Sequence, residues 1–369
     1  MSALPAIPVV VLGPAGYPGL VDAFPERVGA ILAAGRRDYT PFGLALGDRM
    51  SRRWVAGKGA RGVGAYAGEI AAVAARMEAL LGARHGAHLL NLSYEWGCTA
   101  GADAGGAVPR LHRTLDWTLP GLGRALVAAA VPQGPMAPAG PYLNLTWPGF
   151  VGAVQGLAPG RFALSLNQAP VPNVTVLGRR IGRVADWLAG KLRVLRSTAT
   201  PPLLLMRRVL EQAPDFAAAR AMLAHGEITM PCFVTLVGCR AGEAVVIERG
   251  AGLQGDRAVT HQAGADGRVC VSNHWLSEGI PGVTQSLNSL ERLAAMRTFL
   301  GQGAGAAPGS RPLGGFGWLA PPILNSLTRL AFEAEPATGR IVVRAFEAAP
   351  DGTAAMPVTE ILRWEAGAA

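Results

Sequence analysis

The chain has 369 residues, half of them hydrophobic and only 16% charged, enough to bury a large core as one big domain or two ordinary ones. Mean hydropathy is +0.26, yet the longest uncharged run, between Arg124 and Arg161, carries Pro132, Pro135, Pro138, Pro141, Pro148 and Pro159. Repeated prolines break a helical ladder, so this run reads as buried strands and loops and no transmembrane segment is expected. The formal charge of +9 comes from scattered pairs such as Arg52-Arg53 and Arg207-Arg208, without interleaved aromatics, which argues against nucleic acid as a partner. It leaves peripheral attraction to an anionic membrane open.

The first residues lack a basic stretch before their short, proline-interrupted apolar run, so no secretory signal is expected and the cytoplasm is the expected compartment. Four cysteines, Cys98, Cys232, Cys239 and Cys270, are too few for a disulfide framework in this length, and no C-x-x-C pair suggests a metal. No metal and no cofactor are expected. The Cys232/Cys239 pair sits in strand-like apolar alternation, and the glycine-rich stretches between Gly301 and Gly317 lack the G-K-[ST] of a phosphate loop.

In chain order, residues 61–83 are rich in Ala, Met, Leu and Glu and predict a long helix with Gly82 near its end. Residues 98–117 predict a hairpin turning at Gly105-Gly106, a dipeptide suited to a two-residue turn. That register would set Cys98 directly opposite Arg113. Strands are expected around YLNLTW, GFVGAVQGL and RFALSLN, then two or three helices over roughly 178–226, with Asp215 capping FAAARAMLAHG. A second hairpin should turn at residues 240–242. Strand, helix and strand follow at VCVSNHW, SLNSLERLAAMRTFLG and RIVVRAFEA. Strand runs alternating with clustered helices predict a layered α+β body rather than a parallel βαβ fold.

A lone cysteine is more often inert core than nucleophile. Cys98, however, follows Asn91-Leu92-Ser93-Tyr94-Glu95, and Arg113 and Asp116 follow it in HRTLDW. This stretch resembles the acid ceramidase and N-acylethanolamine acid amidase branch of the choloylglycine hydrolase superfamily. Ala100, His112 and Thr114 depart from the usual pattern, but none of these changes removes a catalytic group. The likeness runs on through TWPGFVGAVQG, FALSLNQ, CFVTLVG, VSNHW and SLERLAAM, covering most of residues 91–300.

The resemblance implies an αββα sandwich of the N-terminal-nucleophile type, cut by the protein itself between Gly97 and Cys98. The products would be a helical α chain, 1–97, and a catalytic β chain, 98–369, that stay together. Glycine at 97 would let the backbone take a strained conformation at the scissile bond and let the thiol approach the preceding carbonyl. The freed amine of Cys98 can then take the thiol proton, so no catalytic histidine is needed. By the same likeness, Arg113 stabilises the thiolate or positions substrate, Asp116 orients the amine and Asn273 donates to the oxyanion. Asn167 and Gln168 lie in a loop offering a second donor, and Arg292 helps hold the site. Read blandly, Arg113 and Asp116 form a surface salt bridge and Arg292 is an exposed cation beside Glu291. Three residues apart on one strand, Arg113 and Asp116 face opposite ways unless a bulge intervenes.

The expected activity is hydrolysis of an N-acyl, fatty-acyl-type amide through a thioester on Cys98. An acyltransferase using an amine acceptor and a non-catalytic lipid-binding homologue stay open.

Overall fold

A computed structural model describes residues 3–92, 96–170, 194–250, 257–280, 286–302 and 312–367. The chain opens with strand β1 (Val9–Val11) and five helices: α1 (Pro18–Ala23), α2 (Pro25–Ala56), α3 (Ala60–Val63), α4 (Tyr66–Leu81) and α5 (Ala87–Leu90). The hairpin β2 (Trp96–Asp103) and β3 (Arg110–Trp117) comes next, then α6 (Leu122–Ala125) and strands β4 (Val127–Val131), β5 (Tyr142–Thr146), β6 (Gln155–Ala158) and β7 (Phe162–Gln168). Helices α7 (Pro202–Gln212) and α8 (Phe216–Ala224) precede β8 (Cys232–Val237), β9 (Ala244–Arg249), β10 (Ala258–Gln262) and β11 (Arg268–Val271). Helix α9 (Ser289–Gly301) and strands β12 (Thr328–Glu335), β13 (Arg340–Ala348), β14 (Ala355–Pro357) and β15 (Leu362–Glu365) complete the described elements.

Two sheets result. One runs β1-β4-β5-β6-β7-β8-β9-β10, the other β11-β2-β3-β12-β13-β14 with β15 also on β13. They face each other where β2 meets β7 and β8, while α7 and α8 cover the outside of the first sheet and α9 and α6 the outside of the second. The expected α+β sandwich is therefore present, in helix, sheet, sheet, helix order. All the named strand pairings are antiparallel save β1 with β4. Strands such as β8 and β9 are buried along their whole length, which is why their sequences are apolar runs rather than clean alternations.

Local signals hold well. Helix α4 ends at Gly82, which takes the left-handed conformation at φ 60°, and Asp215 accepts a hydrogen bond from the Ala218 amide at 2.8 Å, capping α8. The part of the expected helices between 178 and 193, and residues 303–311 of the glycine-rich 301–317 stretch, lie outside the described residues. Helix α2 kinks at Thr40 and Pro41: proline disfavours helical backbone before it, and the Thr40 hydroxyl caps the second half by accepting from Gly43 N at 3.2 Å.

One expectation is corrected. The 98–117 hairpin exists, but its connection spans residues 104–109 rather than the Gly105-Gly106 pair alone, and the register moves by two. Cys98 pairs with Leu115, and Arg113 pairs with Ala100. Pro109, which cannot donate to a ladder, sits just before β3 and lengthens the loop.

Candidate active site

Cys98 lies on β2, fully buried, with its side chain turned towards the opposite sheet, where Sγ stands 3.7 Å from the Leu166 carbonyl. A shift of two residues keeps side chains on the same face, so Arg113 becomes a diagonal neighbour of Cys98, within reach of a long side chain. Its Nη2 lies 2.9 Å from the sulfur. The guanidinium is itself fully buried and donates to Leu166 O (2.5 Å), Val154 O (2.9 Å) and Gln155 Oε1. Residues around β6 and β7 of one sheet thus aim a cation from β3 of the other at the thiol. Burial pushes the thiol pKa up; the charge and hydrogen bond of Arg113 pull against it, Asp116 adds to the rise, and Arg292 opposes it. The balance lies above the ordinary value, so the sulfur is kept protonated beside cations suited to a thiolate.

The main chain of Cys98 is held from other directions. Arg292 on α9 is 1% exposed, which rules out the solvent-facing reading beside Glu291. It donates to Cys98 O (2.5 Å), Thr99 Oγ1 (2.7 Å), Asn273 Oδ1 and Ser286 Oγ (both 2.9 Å), and stands 3.5 Å from Asp116 Oδ2. Asp116 also accepts from Thr328 Oγ1 (2.9 Å) and Asn325 Nδ2 (3.1 Å). It too is buried, so neither Asp116 nor Arg113 forms the surface salt bridge of the bland reading. The opposed directions of residues 113 and 116 need no bulge in β3. Arg113 meets the Cys98 side chain between the sheets and Asp116 meets Arg292 below α9. The irregularity lies on β12, where the pairing slips between Thr328 and Leu330.

The Cys98 amide donates to Asn273 Oδ1 at 2.8 Å, and Asn273 Nδ2 donates to Gln168 O at 2.9 Å. Asn167 donates to Ser272 O (3.0 Å), and Ser272 Oγ to Cys98 O (3.1 Å). The end of β7 and the loop after β11 are therefore stitched together around the cysteine. Here the Asn273 carbonyl oxygen, not Asp116, receives the Cys98 N–H, and the Asn273 side-chain NH2 is engaged by a main-chain carbonyl.

Gly97 is extended, part of β2, and opposite Asp116. The strained backbone expected at Gly97 is therefore not found; what the packing asks of a glycine here is room. A Cβ there would stand 3.1 Å from Ser286 Cβ and 3.4 Å from Asp116 Cβ.

Sequence reasoning named the residues that converge here but missed Gln155, Ser272, Ser286, Ser289 and Thr328. Gln155 was the most findable: a single amide in the apolar GFVGAVQGL run, fully buried, has to bond something.

No protein-family profile matches this chain. Acid ceramidases align with it over 101 residues: that of Balaenoptera acutorostrata scammoni at 32% identity, and those of Heterocephalus glaber and Homo sapiens at 33%. Each match covers 27% of this chain and 23% of the relative, so the chain spans about a quarter of the length of the curated relatives it matches. Among solved structures, an N-acylethanolamine-hydrolyzing acid amidase orthologue from Caenorhabditis elegans superposes with a TM-score of 0.48 at 17% identity, covering 65% of this chain and 93% of that one. A mutant conjugated bile acid hydrolase from Clostridium perfringens gives 0.43 at 9% identity, over 73% and 96%. The resemblance read from the motifs is borne out by the curated relatives: over the aligned residues, this chain is similar to acid ceramidases.

Proposed function

We propose that this protein is a self-processing cysteine amidase acting on N-acyl, fatty-acyl-type amides. The observation that carries the reading is the Arg113 guanidinium at 2.9 Å from the Cys98 sulfur, with the main chain of the same residue gripped by Arg292 and Asn273.

Processing comes first. Cys98 Sγ attacks the Gly97 carbonyl carbon, the Gly97–Cys98 C–N bond breaks as the nitrogen takes a proton, and a thioester links Gly97 to the sulfur. Water then releases the Gly97 carboxylate, regenerating the thiol. The two chains, 1–97 and 98–369, remain packed. The freed amine, with a reference pKa of about 7.7–8.0, now takes the thiol proton, and Arg113 stabilises the thiolate. The sulfur attacks the substrate carbonyl, the developing oxyanion takes donors from Asn273 and the 167–168 segment, the amine leaves protonated, and water frees the acid. Asp116, joined to Arg292, orients the new amine.

Acid ceramidase and N-acylethanolamine-hydrolyzing amidase are the names carried by the similar proteins, which supports an amide-bearing lipid as substrate class. The test is the denatured mass of the protein beside its Cys98→Ala variant, with sequencing of any new amino terminus, followed by turnover of N-acyl amides with and without a competing amine. Two fragments, one beginning at Cys98 and absent in the variant, are expected, with free fatty acid as product. An intact chain in both proteins across acidic and neutral pH refutes processing. Transfer of the acyl group to the added amine would make the enzyme an acyltransferase.

A further inference from the structure

We propose that Glu248 is a positioning residue that fixes the loop carrying Asn273. This rests on the reading of Cys98 as the nucleophile. Glu248 lies on β9, with no exposed surface. Its carboxylate accepts from Leu276 N (2.5 Å), Ser277 N (3.4 Å), Ser277 Oγ, and His261 Nε2 on β10 (2.9 Å). Leu276 and Ser277 follow Asn273 by three and four residues.

The loop starts from β11, at the edge of one sheet, while Glu248 belongs to the other, so the carboxylate joins the two sheets across their open side. Asn273 itself is tied on its near side by Ser289 Oγ, which accepts the Asn273 amide at 2.9 Å. Trp275 between them packs edge-on against Phe233 with ring centroids 5.0 Å apart. A buried carboxylate is costly unless donors surround it, and these donors all hold either the loop or the neighbouring strand. Burial pushes the Glu248 carboxyl up, but the bonds from Ser277, His261 and Leu276 outweigh this and leave it below its ordinary value, ionised at neutral pH. Glu248 touches no reacting atom. It acts through Asn273, whose Oδ1 receives the Cys98 N–H and whose amide lies on Gln168.

The test compares Glu248→Gln, which keeps the shape and removes the charge, with Ser277→Ala, which removes one bond from the loop side. Two quantities are read: the rate at which the Cys98-headed fragment appears, and hydrogen exchange of peptides spanning 272–277 against peptides from β8 and β9. Glu248→Gln should slow fragment formation by roughly 10- to 100-fold, the scale of a slightly misplaced catalytic group. Exchange should quicken most in the loop, with the protection of β8 retained and any fall in melting midpoint too small to unfold the protein at the assay temperature. Ser277→Ala should move both readouts in the same direction by less. Unchanged loop exchange and a cutting rate within about twofold of the original in both variants overturn the proposal. Should Glu248→Gln not fold, Ser277→Ala decides it. Should the unsubstituted protein not cut itself, processing is refuted, and the exchange readout alone decides whether Glu248 holds the loop.

Discussion

Arg113 holds four acceptors at once: the Cys98 sulfur, two main-chain carbonyls and the Gln155 side chain. That geometry uses the flat fork of a guanidinium and cannot be reproduced by a lysine ammonium. Arg113→Lys should therefore behave almost as badly as Arg113→Ala, with the reaction slowed by about 10²- to 10³-fold, as when a charge-stabilising donor is removed. The shift has a definite sign. Arg113 lowers a thiol pKa that burial raises, so its loss moves the Cys98 titration to higher pH and thins the thiolate at neutrality. The pH dependence of Cys98 alkylation in the processed protein measures this, and an unmoved profile would show that Arg113 does not tune the thiol. Residue identity was legible in the sequence for Cys98, Arg113, Asp116 and Asn273, because each stands in a short motif. What each one touches was not. Arg292 read equally well as a surface cation, since its helix does not declare from sequence which face it buries.

At the scale of elements, Gly97 and Asp48 give two expectations. Gly97→Ala places a Cβ 3.1 Å from Ser286 Cβ, so processing should slow without loss of fold, and Ser286→Gly in the same chain should restore part of the rate. Recovery absent from the double variant would exclude crowding as the cause. Asp48 on α2 accepts from the His88 amide (2.9 Å) and the Leu89 amide (3.2 Å), capping α5 from a distant helix. Burial pushes its carboxyl up, yet bonds from His88, Gly86 and Leu89 leave it below the ordinary value. With a lowered pKa, the stabilisation is complete above the unfolded value of about 3.9 and fades as pH falls through the folded one. Asp48→Asn should cost about 1–3 kcal/mol at pH 7 and narrow the stability lost on acidification, as urea unfolding at pH 7 and again below the unfolded carboxyl value of about 3.9 would show. Elements with local punctuation, such as α4 with Gly82 or the β8–β9 hairpin, could be read from sequence. Strand β4, VAAAV, could not: alanine favours helix, and only burial between neighbours makes this stretch a strand. The β2–β3 register failed for a related reason, since Gly-Gly suggested a tighter turn than Pro109 permits.

Across the whole molecule, a cut at Gly97 would divide an interface rather than a linker. Arg207 of α7, 3% exposed, donates to Glu69 of α4 (2.5 Å) and Glu211 (2.7 Å), and its guanidinium lies over the rings of Tyr17 (4.2 Å) and Tyr66 (4.8 Å). Tyr66 donates to Glu211 at 2.6 Å, and Asn144 donates to Tyr17 at 2.8 Å. Tyr17, Tyr66 and Glu69 would belong to one product, and Arg207, Glu211 and Asn144 to its partner. The fragments should co-elute through gel filtration even at high salt, because buried pairs are poorly screened. Arg207→Ala, which takes the counter-charge from Glu69 and Glu211, should let them separate, and co-elution by that variant would show that the association does not depend on this cluster.

Strand β1 adds a different kind of dependence. It lies parallel to β4 at the margin of the eight-stranded sheet, with Leu12 N bonded to Ala130 O and Ala128 N to Pro8 O. Without those residues, the margin of β4 would present a row of unanswered donors and acceptors, the template on which other chains add strands. On this geometry the leading segment would shield the margin of β4 from self-association. A preparation that lost residues 1–97 should clump, which light scattering would read.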